Sequence, residues 1–423
     1  ILSERIFDWY HGGDVVPLRR RLTKSVTILL IVVLLIPFVP DSGFRPEQVW
    51  RATASQVYME RRDAIWIDDN DDFAIRGYPG SGTADDPYII ENFSISTGAS
   101  CIVIENVDVH YVVRNCILRS SSRESISPGS SHALYIRGVS RGILENIHVE
   151  GGWNGIEIDS CSSVNISSCC VFDSHTGIHF SNCINITVDG CITAGNSNGF
   201  RLTVTSNSTI RNSKLYSNTL RGVYLDTSSS YNSLYHNYFG WSTYENLTDT
   251  GFAIDDGTEN CWDDGNGQGN LYYDYNGTGI VQIGGDADSV NHYPANFTDS
   301  NPPDIQPSEE IHFPPEYEYA SADVTDVVVV TVHDDFPLNF SALLDGHIHS
   351  QGFWSPNTII VKLKSLETGT HNLTILISDG AGNGSSMEFE VVKDAFSLMG
   401  FYIFFYTSLF LIGLLVILLS LRF

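Results

Sequence analysis

Residues 142–228 read GILENIHVEGGWNGIEIDSCSSVNISSCCVFDSHTGIHFSNCINITVDGCITAGNSNGFRLTVTSNSTIRNSKLYSNTLRGVYLDTS, and this stretch decides the fold. Two short phrases recur within it every 22 or 23 residues. The first phrase begins at Leu144, Ile166, Val188 and Ile210, and the second, GIEIDSC in its first copy, begins at Gly155, Gly177, Gly199 and Gly222. A fixed period of this length, built from alternating apolar and polar residues, predicts a solenoid of short strands.

The same register extends beyond that stretch in both directions. Earlier rungs begin at Ile90 and Val113, and a later rung begins at Leu234. The interval from Val113 to Leu144 is longer because it contains a polar loop at residues 120–131. The sequence therefore predicts an all-β chain whose main domain is a parallel β-helix of about seven rungs, each of about 22 residues.

Alternation within each rung assigns its residues to two faces, since successive strand residues point to opposite sides. Neighbouring rungs lie about 4.8 Å apart, so side chains at equivalent positions form continuous columns. No rung buries its apolar face alone, so both ends of the stack must be capped. The two columns predicted to fill the interior are Ile156, Ile178, Phe200 and Val223, and Ile158, Phe180, Leu202 and Leu225.

Both ends of the chain carry apolar segments that suit a membrane. A basic cluster at residues 19–24 precedes an apolar run, which is typical of a signal peptide or signal-anchor. Residues 396–421 carry no charge and are long enough for a transmembrane helix. We therefore expect a protein of the cell membrane with an extracellular ectodomain. The expected divisions are 1–24, a cytoplasmic or truncated segment; 25–40, a signal peptide or signal-anchor helix; 41–84, a lead-in and cap; 85–300, the β-helix with its C-terminal cap; 301–394, a β-sandwich; and 395–423, the transmembrane helix.

The sandwich is predicted from a change of composition after residue 300. Pro302, Pro303 and Pro307 are typical of a linker. The segments DVVVVTVHD, TIIVKLKSL, HNLTILISD and MEFEVVKD then have the pattern of strands separated by turns. About seven strands in about 90 residues fit an immunoglobulin-like sandwich.

Charge and sequons restrict the partners of the chain. Against 50 acidic residues there are 23 lysines and arginines, so the formal net charge is −27. A field of this sign repels nucleic acid, and we expect no DNA or RNA partner. Ten N-x-S/T triplets support a glycosylated ectodomain. The candidate glycosylation sites are Asn92, Asn165, Asn185, Asn207, Asn246, Asn276, Asn296, Asn339, Asn372 and Asn383.

Three phrases resemble those of the NosD-like, or CASH-type, family of right-handed parallel β-helix proteins. They are GSGTADDPYIIENFSI at residues 80–95, ENCWDDGNGQGNLYYDYNG at 259–277 and SVNHYP at 289–294. The resemblance implies a right-handed helix and its capping. Members of the family serve copper-enzyme maturation in the periplasm, and others are surface proteins similar to carbohydrate-binding or carbohydrate-cleaving β-helices. The phrase GTHNLTILISDGAGNGSS at 369–386 is similar to the last hairpin of Ig-like modules, which usually act as spacers.

The outward residues of the second strand are the candidate functional surface. Glu157, Asp159 and His179 are the candidate catalytic residues, because a carboxylate pair on one strand face suits acid–base cleavage of a glycoside. The candidate ligand-binding residues are Tyr135, Arg137, Arg201, Tyr224 and Asp226, through hydrogen bonds and stacking. The alternative is that these side chains form ordinary cross-rung pairs. The two outward columns are Val103, Tyr135, Glu157, His179, Arg201 and Tyr224, and Glu105, Arg137, Asp159, Ser181, Thr203 and Asp226.

Cysteines and acidic turns leave two further questions open. Two pairs of cysteines are each separated by 22 residues, Cys161 with Cys183 and Cys169 with Cys191. Each pair is therefore expected to stack on adjacent rungs. It forms either a ladder of small apolar residues or a disulfide. No metal site is expected among them, because their spacing matches no zinc motif. No cofactor is required, although calcium would suit the acidic turns at residues 255–256, 263–264 and 286–288.

These patterns favour a membrane-anchored surface protein that binds or displays envelope polysaccharide. One alternative is an extracellular polysaccharide lyase or hydrolase that uses the face formed by Glu157, Asp159, His179 and Arg201. Another is an accessory protein for an extracytoplasmic metalloenzyme. The sequence identifies no protein partner.

Overall fold

The structure, a computed structural model, describes residues 60–121, 132–242, 252–273, 275–307, 327–354, 358–363, 366–367 and 369–393. Within these ranges no helix has both the length and the hydropathy that a bilayer crossing needs. The segments expected at 1–24, 25–40 and 395–423 lie outside the described residues, as does the lead-in up to residue 59.

Three parallel sheets form the walls of a β-helix, and each turn of the chain contributes strands to them in succession. Sheet A consists of Glu60–Arg61, Phe93–Thr97, Ile117–Ser120, His148–Gly151, Cys170–Phe172, Ile192–Ala194, Lys214–Tyr216, Tyr238–Gly240, Leu271–Tyr273 and Ala295–Phe297. Sheet B consists of Ile65–Ile67, Ile102–Glu105, Leu134–Arg137, Asn154–Asp159, Thr176–Ser181, Asn198–Thr203, Arg221–Leu225 and Ala253–Asp255. Sheet C consists of Tyr88–Glu91, Tyr111–Arg114, Gly142–Glu145, Asn165–Ser167, Thr187–Asp189, Thr209–Arg211 and Ser233–Tyr235.

The repeat seen in the sequence is the repeat of the structure. The strands of sheet C contain the predicted rung starts from Ile90 to Leu234, paired in parallel and in register. The prediction of an all-β chain dominated by a parallel β-helix is confirmed. Sheet B continues further at the N-terminal end, where Ile65–Ile67, which the sequence assigned to a lead-in, pairs with Ile102–Glu105.

The interior is filled by the columns that alternation assigned to it. All eight of the predicted inward residues, from Ile156 to Leu225, have 0% of their surface exposed. Burying a phenylalanine or leucine side chain contributes about 1.5–3 kcal/mol. Like residues therefore stack along the axis, and each rung completes the core of its neighbours.

Polar residues replace apolar ones in columns at the turns. Cys191, Ser213, Asn237 and Asn270 occupy equivalent places on successive rungs. The backbone N–H of Cys191 donates to Ser213 Oγ at 3.2 Å, that of Ser213 to Asn237 Oδ1 at 3.0 Å, and that of Asn237 to Asn270 Oδ1 at 3.0 Å. Each buried amide at the turn thus finds its partner one rung away, as buried polar groups require.

Aromatic side chains close both ends of the stack. At the N-terminal end a short helix, α1 (Asp71–Ile75), places the fully buried Phe73 on Tyr88, with ring centroids 4.9 Å apart. At the C-terminal end Trp262 is buried and donates its indole N–H to Asp255 at 2.9 Å. A short antiparallel pair, Val281–Gln282 and Val290–Asn291, lies in the same C-terminal region. The exposed ends of a parallel stack need such covers.

The C-terminal part of the described chain is an antiparallel sandwich of two sheets. Residues of both sheets, among them Val330, Trp354 and Ile375, share one buried core. One sheet consists of Asp304–Pro307, Val327–His333 and Thr358–Lys362, and the other of Pro337–Leu344, His347–Phe353, Gly369–Asp379 and Gly384–Lys393. The immunoglobulin-like assignment stays a prediction.

The sandwich packs against the outer face of sheet A and does not extend away from the β-helix as a spacer would. Phe353 stacks on Phe172 with ring centroids 5.2 Å apart, and Phe336 meets Tyr216 edge-on at 5.4 Å. These residues form one buried cluster with Ala194. This part of sheet A is therefore a domain interface and not a free binding surface.

Three carboxylates meet at the edge of this domain interface. Oxygens of Asp299, Asp334 and Asp379 lie within 4.8 Å of one another. Burial, followed by the charges of Asp299 and Asp379, raises the pKa of Asp334 to about 6. Burial also raises the pKa of Asp299, against the opposing effect of the hydrogen bond that the backbone of Asn301 donates to it. Because an unfolded aspartate titrates near pH 3.9, the folded state holds an extra proton between about pH 4 and pH 6, and ionisation above that range opposes folding.

Asp334→Asn is expected to raise the melting temperature at pH 8, because the amide removes the ionised group that opposes folding. The gain should shrink at pH 5, where Asp334 is already protonated in the folded protein. Thermal unfolding at the two pH values measures the difference. Asp335→Asn is the control, since that carboxylate is exposed and pairs with Lys214. An equal gain at both pH values would contradict the assignment.

Phe180→Ala is expected to destabilise the β-helix by about 3–5 kcal/mol, because the stacked rungs cannot collapse into the cavity. Urea unfolding followed by circular dichroism measures the loss. Ile184→Ala is the control, because Ile184 is 47% exposed at a turn and its truncation should cost within about 0.5 kcal/mol. Similar losses for both variants would argue against Phe180 as a core residue.

Candidate functional site

The outward column singled out from the sequence lies on sheet B. Tyr135, Glu157, His179, Arg201 and Tyr224 pair across successive strands in unbroken register. A slip of one residue would turn the apolar columns to solvent, so the interior fixes this register. The predicted succession of phenol, carboxylate, imidazole, guanidinium and phenol is therefore present on one sheet face.

Glu157, His179 and Thr203 form a chain of hydrogen bonds across three rungs. His179 Nδ1 lies 2.8 Å from Glu157 Oε2, and His179 Nε2 lies 3.1 Å from Thr203 Oγ1. Asn154 donates its amide to the same carboxylate oxygen at 2.5 Å. Because an ionised carboxylate only accepts, these partners assign the ring proton to Nδ1, and Nε2 accepts from the threonine hydroxyl.

The carboxylate and the imidazole in this series of hydrogen bonds are largely buried. The side chain of Glu157 is 8% exposed and that of His179 is 17% exposed. A carboxylate removed from water needs hydrogen-bond donors, and here Asn154 and His179 supply them. Thr203 is partly exposed at the outer end of the chain. The hydrogen bonds therefore lead from a buried carboxylate to a partly exposed threonine.

Aromatic and cationic side chains border the column. Trp153 and His175 stack face to face, with ring centroids 4.0 Å apart and an interplanar angle of 5°. Burial and the neighbouring Arg201 lower the pKa of His175, which favours the neutral ring. The guanidinium groups of Arg201 and Arg221 lie 5.6 Å and 5.3 Å from the ring centroid of Tyr224. Aromatic faces and guanidinium donors are the groups that hold sugars and acidic substituents.

Other predicted ligand-binding residues have structural partners. Arg137 lies 3.5 Å from Asp159 and forms an ion pair with this candidate catalytic carboxylate. Asp226 lies in a turn after its strand and accepts hydrogen bonds from the backbone of Val204 and the hydroxyl of Ser229. Tyr135 is 8% exposed, and burial raises its pKa to about 12. The site that the structure brings together is therefore centred on Glu157, His179, Arg201 and Tyr224.

The sequence pattern missed the residues in the turn that leads from sheet A to sheet B. Trp153, Asn154 and His175 lie there, at or before the start of a strand, where alternation assigns no face. A usable indication was present, because Trp153 and His175 are 22 residues apart and so occupy equivalent positions. Arg221 was missed because it begins its strand.

The stacked cysteines are thiols in the structure and carry no disulfide. Cys183 Sγ lies 3.2 Å from the carbonyl oxygen of Ile158, and Cys161 Sγ lies 3.1 Å from that of Asp159. Burial raises the pKa of Cys169 above its usual range. The ladder arrangement is the one observed, and formation of either disulfide stays a prediction.

Most of the described sequons present an exposed asparagine. Asn92 is half-buried, and Asn383 donates its side-chain amide to Asp379 at 2.9 Å. Asn246 lies outside the described residues. The exposed asparagines are Asn165, Asn185, Asn207, Asn276, Asn296, Asn339 and Asn372.

The acidic turns expected to hold calcium use their carboxylates within the protein. Asp255 accepts from Trp262, Asp263 lies 2.8 Å from His292 Nδ1, and Asp264 accepts from the backbone of Gln268. Among the described residues, acidic groups converge in threes elsewhere, at Asp68, Asp69 and Asp72 and at the carboxylate group of the domain interface. Calcium binding at the acidic turns stays a prediction.

Comparison with known proteins bears on the fold. Residues 74–239 match the family described as the right-handed beta helix region. This part of the chain is a right-handed parallel β-helix. The match covers the rungs that carry the column from Tyr135 to Tyr224, and the finer resemblance to NosD-like proteins stays a prediction. No curated protein matches the sequence.

Solved structures match the chain at low similarity. The enzymatically active domain of tailspike protein 2 from bacteriophage CBA120 is 11% identical with a TM-score of 0.25, and the match covers 74% of this chain and 51% of that one. XylC in complex with xylose is 10% identical with a TM-score of 0.29, covering 73% and 64%. ORF18 of Geobacillus virus E2 is 11% identical with a TM-score of 0.28, covering 73% and 63%. The chain thus matches less than two thirds of each of these proteins, and similarity at this level does not extend to function.

Proposed function

We propose that the protein is a membrane-anchored surface protein whose sheet B binds polysaccharide of the cell envelope. The observation that carries this proposal is the row of sugar-binding chemistry on one partly exposed face, from the Trp153–His175 stack to Tyr224 between Arg201 and Arg221. Stacked rings offer flat apolar surface, and guanidinium groups offer several donors in a fixed plane.

Two arginines on this face favour an acidic saccharide. The chain as a whole has a net charge of −27, so an anionic ligand is repelled except where cations are concentrated. Arg201 and Arg221 place two positive charges around Tyr224, where they offset the carboxylates of Asp226 and Asp256 that also lie near this tyrosine. Guanidinium groups bind carboxylates more strongly than they bind neutral acceptors. A polysaccharide with carboxylate substituents is therefore the ligand class we favour.

The two candidate catalytic carboxylates, Glu157 and Asp159, both have partners within the protein, and this favours binding over glycoside cleavage. Cleavage needs one carboxyl group as an acid and a second as a base or nucleophile, both facing the sugar. Asp159 is paired with Arg137, and Glu157 is held by Asn154 and His179. A lyase or hydrolase that uses this pair is the alternative. The role of accessory to a metalloenzyme rests on the sequence resemblance alone.

A glycan array probed with the purified full-length chain tests the binding proposal. Trp153→Ala and Arg201→Ala are each expected to weaken binding about tenfold, since a stacking contact or a charged hydrogen bond contributes about 1–2 kcal/mol. Tyr231→Ala and Arg211→Ala are the matched controls, because these side chains lie on the other side of the rung, in and beside sheet C. Absence of binding to acidic and neutral glycans, or equal binding by all variants, would overturn the proposal.

The anchor is tested separately. Deletion of residues 395–423 is expected to release the chain from the membrane fraction, because this segment carries the uncharged apolar run. Fractionation followed by immunoblotting measures the release, and glycosidase treatment of the same fractions shows by mass whether the sequons are occupied. If the truncated chain stays in the membrane fraction, residues 395–423 are not its sole anchor.

A further inference from the structure

The hydrogen-bond chain on sheet B has a chemical meaning beyond ligand binding. A hydroxyl next to an imidazole, with the imidazole oriented by a carboxylate, is the arrangement that activates an oxygen nucleophile. Here the two contacts measure 3.1 Å from Thr203 Oγ1 to His179 Nε2 and 2.8 Å from His179 Nδ1 to Glu157 Oε2. Both lie within the reach expected of a nucleophile, its base and the group that orients the base.

We propose that Thr203, His179 and Glu157 form a catalytic triad that hydrolyses carboxylic esters. The substrate class is the acyl ester substituent of a polysaccharide, such as an O-acetyl group on a sugar ring. This choice of substrate rests on the proposed function, because the polysaccharide-binding groups border the same column. The ester chemistry itself rests on the geometry of the three side chains.

Glu157 is placed to orient the base and not to react. Its side chain is 8% exposed, and its Oε2 receives both the Asn154 amide at 2.5 Å and the imidazole. A buried carboxylate in this place holds the ring proton on Nδ1 and stabilises the imidazolium that forms when Nε2 takes a proton. Glu157 is thus a positioning residue, and His179 is the base.

Arg201 supplies a group for the oxyanion. It lies two residues before Thr203 on the same strand, so both side chains point outward and their Cα atoms are about 6.5–7 Å apart. The residue is partly exposed, and its guanidinium lies 5.6 Å from the ring centroid of Tyr224. Backbone N–H groups within a sheet are used by the strand ladder, so a side-chain cation is the available donor. A fixed donor beside the nucleophile stabilises the charge that develops on an attacked carbonyl.

The reaction proceeds by two acyl transfers with water as co-reactant. Thr203 Oγ1 attacks the ester carbonyl and gives its proton to His179 Nε2. The bond between the acyl carbon and the sugar oxygen breaks, and His179 returns the proton to that oxygen, which leaves an acyl-threonine and a free sugar hydroxyl. Water then attacks the acyl-threonine while His179 takes its proton, and the proton passes to Thr203 Oγ1 as the carboxylic acid is released.

The neighbouring rung shows that the contact is specific to this position. Ser181 pairs with Thr203 in register and carries the equivalent hydroxyl one rung earlier. Its Oγ accepts a hydrogen bond from Asn182 Nδ2 at 3.3 Å and forms none with an imidazole in the described part of the chain. Ser181→Ala is therefore a control that removes a hydroxyl from the same column without touching the triad.

Hydrolysis of 4-nitrophenyl acetate, and acetate release from an O-acetylated polysaccharide, test the proposal with the purified full-length chain. Thr203→Val and His179→Gln are expected to lower kcat/KM by at least about 100-fold, while Thr203→Ser and Ser181→Ala keep it within about tenfold of the parent. A fluorophosphonate probe should label the parent at Thr203, as located by mass spectrometry, and should not label Thr203→Val. Circular dichroism of each variant checks its folding.

Each outcome decides the matter. Unchanged hydrolysis in a folded Thr203→Val variant, a label on another residue, or no hydrolysis and no label in the parent would overturn the triad. Glycan binding by Thr203→Val together with loss of hydrolysis would support both proposals. Hydrolysis of 4-nitrophenyl acetate without binding to any glycan would support the triad and overturn the carbohydrate-binding function.

Discussion

The structure depends on one constraint, the stacking of equivalent residues about 4.8 Å apart along the axis of the β-helix. Because of it, the nearest neighbours of a side chain are the residues about one period before and after it in the sequence. Apolar residues meet in this way as Ile156 and Ile178 do, and polar residues meet as Ser213 and Asn237 do. The side chains of each column find their packing and hydrogen-bond partners on the neighbouring rungs. The core therefore depends on more distant parts of the chain only at its two ends.

The repeat does not determine which residues cover the ends and the outer faces of the β-helix. Phe73 and Trp262 cover the ends because the last rung on each side lacks a neighbour. The outer face of sheet A is covered by the sandwich through Phe336 and Phe353, which the repeat alone does not imply. Since that cover is apolar and buried, the two domains meet through a packed interface. The mixed polar column of sheet B lies on a different face of the β-helix.

Much of the β-helix was predictable from the sequence, because the period and the alternation of apolar residues determine the position of each residue within its own rung. The inward columns, the register of sheet B and the succession from Tyr135 to Tyr224 follow from counting residues, and the structure agrees. The pairing of Asp159 with Arg137 is one of the cross-rung pairs that the sequence left as the alternative to a functional site. The burial of Tyr135 was not predictable, because it depends on side-chain geometry that alternation does not determine. Trp153 escaped prediction because turn residues have no assigned face. The docking of the sandwich depends on surface complementarity, which a sequence read without a partner surface does not reveal.

The hydrogen bonds that join Glu157, His179 and Thr203 show how a repeat forms a candidate site from strand residues alone, without residues from a loop. A histidine is long enough to span the gap to both neighbouring rungs, so its two nitrogens face residues on opposite sides along the axis. In the column of sheet B, Nδ1 faces a carboxylate on the preceding rung and Nε2 faces a hydroxyl on the following rung. Replacing this histidine by a residue with one polar end would break one of these two contacts, although Glu157 would keep the hydrogen bond from Asn154. Stacking therefore supplies the order of the three groups, and the imidazole joins them because its two nitrogens contact the rungs on either side.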